Sequence, residues 1–600
     1  MKKLILASTT LLACTASLAQ DLSTVVTIAN KVDAPAINDK QIVVIERSDI
    51  ENSGAASLKD LLVSKADFQF SQNGGVANST NLYIRGLDSK KILFLINGQR
   101  VGSATSGTTD FQLIPVEQIE RVEIIKGSRS AIYGADAQAG VINIITRQKQ
   151  QGTSISATIG TNQTRQIGVR SQIQQGNIGG YVSVLHNASD GYDLDIDSKN
   201  DTDGYERNAV NTGINYAINE DQSINLDLQL NKGSYDYDNL YMGTDEADFD
   251  NRAYSANYTL SKESISLKAQ VGRSYDRSWN YGNGSTRSNG ADLFGTRRDS
   301  GEITAVIAIT EGHSLITGID STNTELSTQP TVYDKDSAKN SGALLAYRFE
   351  HEDIAFETGA RYDDNSAYGD FWSYNTAVEL TFDNGDSLAL GQSTAFRAPT
   401  FNDLYYPASL FGDYSNENLE VETSRVWTLD YFIPLSIMGK SGSFLLSGQR
   451  AVFNNQISYD EVYYPYNIGS SYVNYASASW DQDWSSSLRT ELIQEWTEAM
   501  NLDTGEMLAR RPVRATKLNV NWVQNSITAR LESMYRDQSA TVSGETNASY
   551  FIYNLGVNYD VNKALTVSAR IENLTNRSYE TASGYLAQGR YAQITGRYNF

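Results

Sequence analysis

Residues 192–205, YDLDIDSKNDTDGY, set five aspartates beside a single lysine, Lys199. Two carboxylates about 6 Å apart repel by roughly 0.7 kcal/mol in bulk water, and by several times more where solvent is partly excluded. Such a segment either stays solvated or holds a cation. A second acidic run, YDYDNLYMGTDEADFD at 235–250, has the same character. Calcium suits both, because it accepts about six to eight carboxylate and carbonyl oxygens in flexible geometry. The spacing is not that of an EF-hand: counting from Asp193, the sixth residue is Ser198 rather than glycine and the twelfth is Gly204 rather than glutamate. Other chemistry is poorly supplied. His186, His313 and His351 are scattered, GSRSAIYG lacks the lysine and glycine spacing of a phosphate loop, and no nucleophile stands with a base, so an enzyme is not expected.

The elements that position these loops begin with an export signal. Lys2 and Lys3 precede the apolar run LILASTTLLACTASLA, and small residues at Ser17 and Ala19 fit cleavage after residue 19. LLAC at 11–14 also resembles a lipoprotein box, but the apolar run continues past Cys14 to the later site. Cys14 is the only cysteine, so the mature chain can hold neither disulfide nor thiolate metal site. Without Lys2 and Lys3 there are 47 basic residues (49 − 2) against 71 acidic, a net charge near −24. Such a surface repels nucleic acid. Eight prolines, no long linker and no apolar run of about 18 residues after the signal argue against linked soluble domains and against helical membrane spans.

From about residue 150 the period is two. In SINLDLQLN, Ile224, Leu226, Leu228 and Leu230 alternate with Asn225, Asp227, Gln229 and Asn231; Ile265, Leu267, Ala269 and Val271 repeat the scheme, as do Leu565, Val567, Ala569 and Ile571. Each such strand has one apolar and one polar face. A soluble sandwich alternates too. Three features favour a membrane barrel: polar faces that run the whole strand, aromatic clusters such as WDQDW and SYVNY at strand ends, and the terminal YAQITGRYNF, where Ala592, Ile594, Gly596, Tyr598 and Phe600 share one face. That ending resembles the closing strand of outer-membrane barrels. At ~20 residues per strand and connection, residues 151–600 allow about 22 antiparallel strands, a size whose lumen must be plugged.

The preceding residues differ. SLKDLLVSKADFQF reads as a helix running into a strand, KKILFLINGQRV as a continuously apolar strand with a turn at Asn97 and Gly98, and PVEQIERVEIIKG as a short helix entering another strand. Continuous apolar strands are buried on both faces, so this is a small α/β domain. LYIRGLDSKKILFLINGQRV followed by IPVEQIERVEIIKGSRSAIYGADAQAGVINIITR resembles the plug of TonB-dependent outer-membrane transporters, and STAFRAPTFNDLYYP, NENLEVETSRVWTLDY and IENLTNRSYE extend the likeness through the barrel. The resemblance implies a signal peptide at 1–19, a TonB-box segment and linker at 20–40, a plug at 41–150 and a transmembrane barrel at 151–600. It sets Arg85, Arg121, Glu123 and Arg129 at the family's internal charged positions, with Arg85, Arg129 and Glu123 expected as plug-to-barrel ion pairs.

The short extended segment Thr24, Val25, Val26, Thr27, Ile28 looks like the family's TonB box, to which a periplasmic partner can add a strand; a frayed terminus is the alternative. Strand parity makes 190–206 and 235–250 adjacent extracellular loops. They resemble the calcium-ordered loops of the cobalamin (vitamin B12) receptors within the family, which implies Asp193, Asp201, Asp203, Tyr237, Asp238 and Asp250 as ligands; Lys199 stands where that subgroup has a glutamine. Plug-apex residues Ser79, Asn81, Asp88, Thr105 and Ser106 are the implied substrate contacts, small and polar enough for the amide arms of a corrin ring. Asp88 departs from the subgroup's asparagine and Ser79 from its leucine. The implied activity is TonB-dependent import of cobalamin or a related corrinoid, with a ferric-siderophore receptor as the alternative. Expected partners are TonB, the corrinoid, outer-membrane lipids and lipopolysaccharide, and a substrate-binding lipoprotein.

Overall fold

The computed structural model describes residues 41–600, apart from 67, 149–150, 195–201, 239–243, 283, 409–413, 461–463 and 543. The expected TonB-box segment and leader therefore lie outside the described residues, as does Asp201. Twenty-two antiparallel strands, from Gly152–Gly160 to Tyr591–Asn599, close into a barrel. The first and last strands pair from Gln593 with Gly160 to Asn599 with Ser154.

Exposure separates the barrel from the soluble sandwich. Leu226 is 48% exposed, while Asp227, Gln229 and Asn231 on the same strand are 8%, 5% and 1% exposed. Val271 and Ile319 are likewise 63% and 62% exposed. An apolar outer wall around a polar lumen is what lipid requires, and the inverse of a water-soluble core. Two-residue turns such as 176–177, 220–221 and 263–264 mark one end of the cylinder, and longer connections such as 398–421 and 502–513 mark the other.

The lumen is filled by the leading domain. Its five-stranded sheet runs in the order Ile42–Glu46, Arg121–Lys126, Gly140–Ile145, Ile92–Ile96, Gln99–Arg100, and a smaller sheet joins Gln69–Gln72, Thr80–Ile84 and Leu87–Asp88. The helix Leu58–Lys65 begins where Ser57 caps the Asp60 amide, and it buries Leu58, Leu61 and Leu62. Asn97 and Gly98 both take positive φ, +49° and +83°, as a tight hairpin between right-twisted strands demands. The helix expected after Pro115 is only a single 3-10 turn, Val116–Gln118, because the chain must straighten by Arg121 to enter the sheet.

Inside a sealed wall the plug's irregular carbonyls need donors. The barrel supplies them with cations. Arg570 donates to Ser53 O at 2.7 Å, Lys517 to Phe68 O at 3.1 Å, Arg207 to Gln112 O at 3.0 Å and Arg170 to Glu117 O at 2.9 Å. Arg298 and Arg536 do the same for Gly102 and Phe70. These contacts come from strands on either side of the seam where the first and last barrel strands pair, so the plug is gripped from both flanks of that seam.

Candidate functional site

Two plug segments meet the long connections at the open end. Asn81 lies in the strand Thr80–Ile84, where its Oδ1 accepts from the Ser89 amide at 3.0 Å and its Nδ2 donates to the Tyr83 hydroxyl at 3.1 Å. Ser79 is exposed in the preceding turn, and its carbonyl accepts from the Asn73 amide. The second segment is the loop 102–109, which turns at Gly102 and Gly107 with φ of +106° and +72°. Thr105 is buried and Ser106 half-buried; their hydroxyls bond within the loop to Ser103 and Thr108. A helix from the connection above, Phe401–Tyr405, is laid on this loop: the Phe401 amide donates to Ala104 O at 3.1 Å and the Asn402 amide to Thr105 O at 3.2 Å.

Asp88 occupies the joint between these parts. It caps the turn Ser89–Lys91 through the Lys90 amide, and its carboxylate pairs with Arg511 at 2.9 Å and Lys91 at 3.4 Å. Burial by itself would raise its pKa, but Lys91, Arg511 and Arg397 outweigh that and hold the carboxyl well below the usual range. The barrel arginine explains why an aspartate is tolerated at this position. Lys91 also pairs with Glu422 at 3.2 Å, and Lys90 donates to Tyr459, whose hydroxyl donates to Asp403 at 2.5 Å.

The expected internal charges resolve unequally. Arg85 pairs with Asp430 at 2.9 Å, with both side chains almost wholly buried, and Arg129 faces Glu357 at 3.6 Å. Both join plug to barrel. Glu123 pairs with Arg121 of its own strand at 2.5 Å and accepts from Asn143.

A cavity of about 200 Å³ lies between the loop 102–109, the barrel wall and the helix 401–405. Five cationic side chains line it, Lys90, Arg100, Arg298, Arg361 and Arg397. Three acids, Asp136, Glu302 and Asp320, answer them.

The acidic runs are shorter as loops than expected. Strand Ile178–Tyr192 continues past a register break between Ser189 and Tyr192, where Gly191 takes φ +70°, and pairing resumes at Asp203. That bulge hides the two-residue rhythm. Asp193 follows the strand, and Asp203 accepts from the Leu194 amide at 3.3 Å. Tyr237 donates to Thr244, and the Asp238 carbonyl accepts from Tyr585. Asp236 accepts from the Gly204 amide at 3.2 Å, which sets the two loops side by side. Asp250 is different. It lies inside the strand Glu246–Lys262, buried between Arg252 at 2.5 Å and Lys232 at 3.4 Å. Among the described residues no three acidic, histidine or cysteine side chains converge as a metal group.

Two family models match the chain. The TonB-dependent receptor plug domain covers residues 38–141, and the TonB-dependent receptor-like β-barrel covers residues 148–574. The chain is a TonB-dependent receptor. Among its relatives, the vitamin B12 transporter BtuB of Photobacterium profundum is 28% identical over 96% of this chain and 95% of that one. The protein of the same name from Vibrio cholerae is 27% identical over 97% and 96%. A ferric enterobactin receptor variant from Pseudomonas aeruginosa, solved with enterobactin, superposes with a TM-score of 0.80 over 94% of this chain and 99% of that one, at 16% identity. At that identity the likeness shows the fold alone.

The receptor is thus an outer-membrane barrel whose lumen holds its own plug. Its anchoring residues Asp430, Glu422, Arg397 and Arg511 lie in or beside stretches that resemble the family's, STAFRAPTFNDLYYP and NENLEVETSRVWTLDY, or in the loop 502–513. Sequence reading assigned them no role. A charged residue on the wet face of a barrel strand gives no sign of which plug residue it faces, since the pairing spans hundreds of positions.

Proposed function

We propose that this receptor imports cobalamin or a related corrinoid across the outer membrane, driven by TonB pulling on Thr24–Ile28. The observation that carries this reading is the nearly end-to-end similarity to two proteins named vitamin B12 transporters. The small polar character of the apex loops supports it, because hydroxyls and amides suit the amide arms of a corrin ring. An outer membrane holds neither an ion gradient nor nucleotide, so the work of opening a filled barrel has to arrive mechanically. An extended segment beside the periplasm is a handle to which a partner strand can add.

On this reading the open end captures the corrinoid, Ser79, Asn81, Thr105 and Ser106 contact it, and Asp88 positions their segments through Arg511 and Lys91. Binding must alter the stability of the plug by at least the coupling free energy that exposes the handle. Calcium belongs to the proposal. Asp193, Asp201, Asp203, Tyr237 and Asp238 would hold it across the two loops that Asp236 and Gly204 join, and Asp250 would enter only on leaving Arg252 and Lys232. A bound cation would offset the repulsion among the aspartates and preorganise the rim.

One observation favours the second reading, a ferric-siderophore receptor: the excess of cationic side chains in the cavity behind the apex suits an anionic iron chelate. Titration of the detergent-solubilised receptor with cyanocobalamin and with a ferric tris-catecholate, each with and without calcium, separates the two. Corrinoid retention weakened by EDTA supports the first; retention of the iron chelate alone overturns it.

A further inference from the structure

Five cations against three acids is an unusual balance in a chain whose formal charge is −22. Three of the five are answered locally. Arg100 pairs with Asp136, Arg361 bridges Asp320 and Asp363 at 2.7 Å each, and Lys90 donates to Tyr459. Of the other two, Arg397 has donor capacity left over. Arg397 reaches Glu422 at 3.3 Å through Nε and Nη2, yet its Nη1 is buried without a hydrogen-bond partner among the described residues, in a side chain only 4% exposed. Arg298, 7% exposed, donates to the Gly102 carbonyl, with Asp276 and Asp136 as neighbouring carboxylates. A buried guanidinium donor left unmet is costly, and the group that meets it best is an anion with more than one acceptor oxygen.

The volume narrows the occupant. About 200 Å³ holds a handful of water molecules, at roughly 30 Å³ each, and is well below the range of pockets that enclose a whole drug-sized ligand. One phosphodiester or carboxylate fits; a corrinoid does not. The helix Phe401–Tyr405 lies over one side of the cavity, and its amides are bonded to Ala104 O and Thr105 O of the apex loop. Burial pushes the Lys90 ammonium below its ordinary pKa, against the pull of Asp403 and with the neighbouring Arg397 adding to the shift.

We infer that this cavity is an anion-receiving way station on the import path, in which Arg397 and Arg298 take an anionic group of the cargo after the apex loop yields. The inference rests on the import reading. It adds a transit site distinct from the apex contacts. For a corrinoid the anionic group is the phosphodiester of the nucleotide arm; for a ferric chelate it is the chelate's own negative oxygens.

The test compares energy-dependent uptake with surface binding in cells that carry this receptor as their sole route. Cyanocobalamin, dicyanocobinamide, which lacks the phosphodiester, and a ferric tris-catecholate are each measured on wild type, Arg397→Lys, Arg298→Gln and the double variant. Arg273→Gln on the outer wall is the control, and heat-dependent gel mobility verifies the folded barrel. The double variant should slow cyanocobalamin uptake about tenfold or more relative to its own surface binding, and leave dicyanocobinamide uptake, normalised the same way, unchanged. Equal slowing of both corrinoids, or no slowing of cyanocobalamin, overturns the inference. If wild type takes up no corrinoid, the import reading fails and the iron chelate decides: uptake slowed in the double variant upholds the way station, whereas unchanged or absent uptake overturns it. A double variant that does not fold is replaced by Arg397→Lys, which keeps the charge toward Glu422 but loses the second guanidinium donor.

Discussion

The pair Arg85–Asp430 should be the strongest single tether between plug and barrel. At 2.9 Å its gross attraction is about 6 kcal/mol at an effective dielectric of 20, most of which the desolvation of two buried charges cancels. Removing one partner is another matter, because the survivor stays buried. Asp430 would keep Gln41 at 2.9 Å and Ser447 at 2.5 Å but lose its Arg85 counter-charge. Truncation of either partner should therefore cost about 3–5 kcal/mol, and the double variant much less than the sum. The cycle uses Arg85→Met, which keeps the stem volume, and Asp430→Asn. Plug unfolding in urea is followed by a fluorophore on Ser48→Cys, since the sole native cysteine lies in the expected leader. All seven tryptophans lie after residue 151 and report the barrel separately. With a slope of about 1.5 kcal/mol per molar urea for a domain of this size, each single variant should lower the plug midpoint by about 2–3 M. Costs that simply add, with a coupling under about 0.5 kcal/mol, would refute the reasoning.

Other outcomes follow from the same geometry. Asp88→Asn should weaken plug stability by about 2 kcal/mol at pH 7. Because the folded pKa is depressed, the stabilisation is complete above the unfolded value near 3.9 and fades as pH falls below it; a variant deficit that persists unchanged at pH 2 contradicts the assignment. Asp201→Asn with Asp203→Asn should weaken calcium binding at least tenfold by calorimetry, and calcium affinity equal to wild type excludes these loops. Ile319→Arg, on the lipid face, should destabilise the barrel by about 2–4 kcal/mol in vesicle refolding; a neutral result would remove that strand from the bilayer.

The barrel was legible because lipid imposes a rule that each strand must obey locally: Leu226 out and Asp227 in can be read from adjacent residues. The plug's helix at Leu58–Lys65 and its turn at Asn97–Gly98 were equally local. The charge network was not. Arg85 and Asp430 stand 345 positions apart, and which wet-face acid meets which plug cation depends on barrel circumference and plug orientation. Glu123, buried in a plug strand, meets Arg121 only two residues away, a pairing that adjacent residues do suggest. The length of the acidic loops was misjudged at Gly191 for a smaller reason: a bulge shifts the phase of alternation, so a strand that continues looks as if it has ended.

On the proposed reading, a corrinoid is imported through a barrel that opens only when its leading segment is pulled. The most direct measurement is uptake of labelled cyanocobalamin by cells in which this receptor is the sole outer-membrane route, with and without residues 24–28. Saturable accumulation that vanishes on deletion of Thr24–Ile28, while surface binding persists, is the predicted result. Accumulation that ignores the deletion, or no cobalamin uptake alongside uptake of a ferric siderophore, would contradict it.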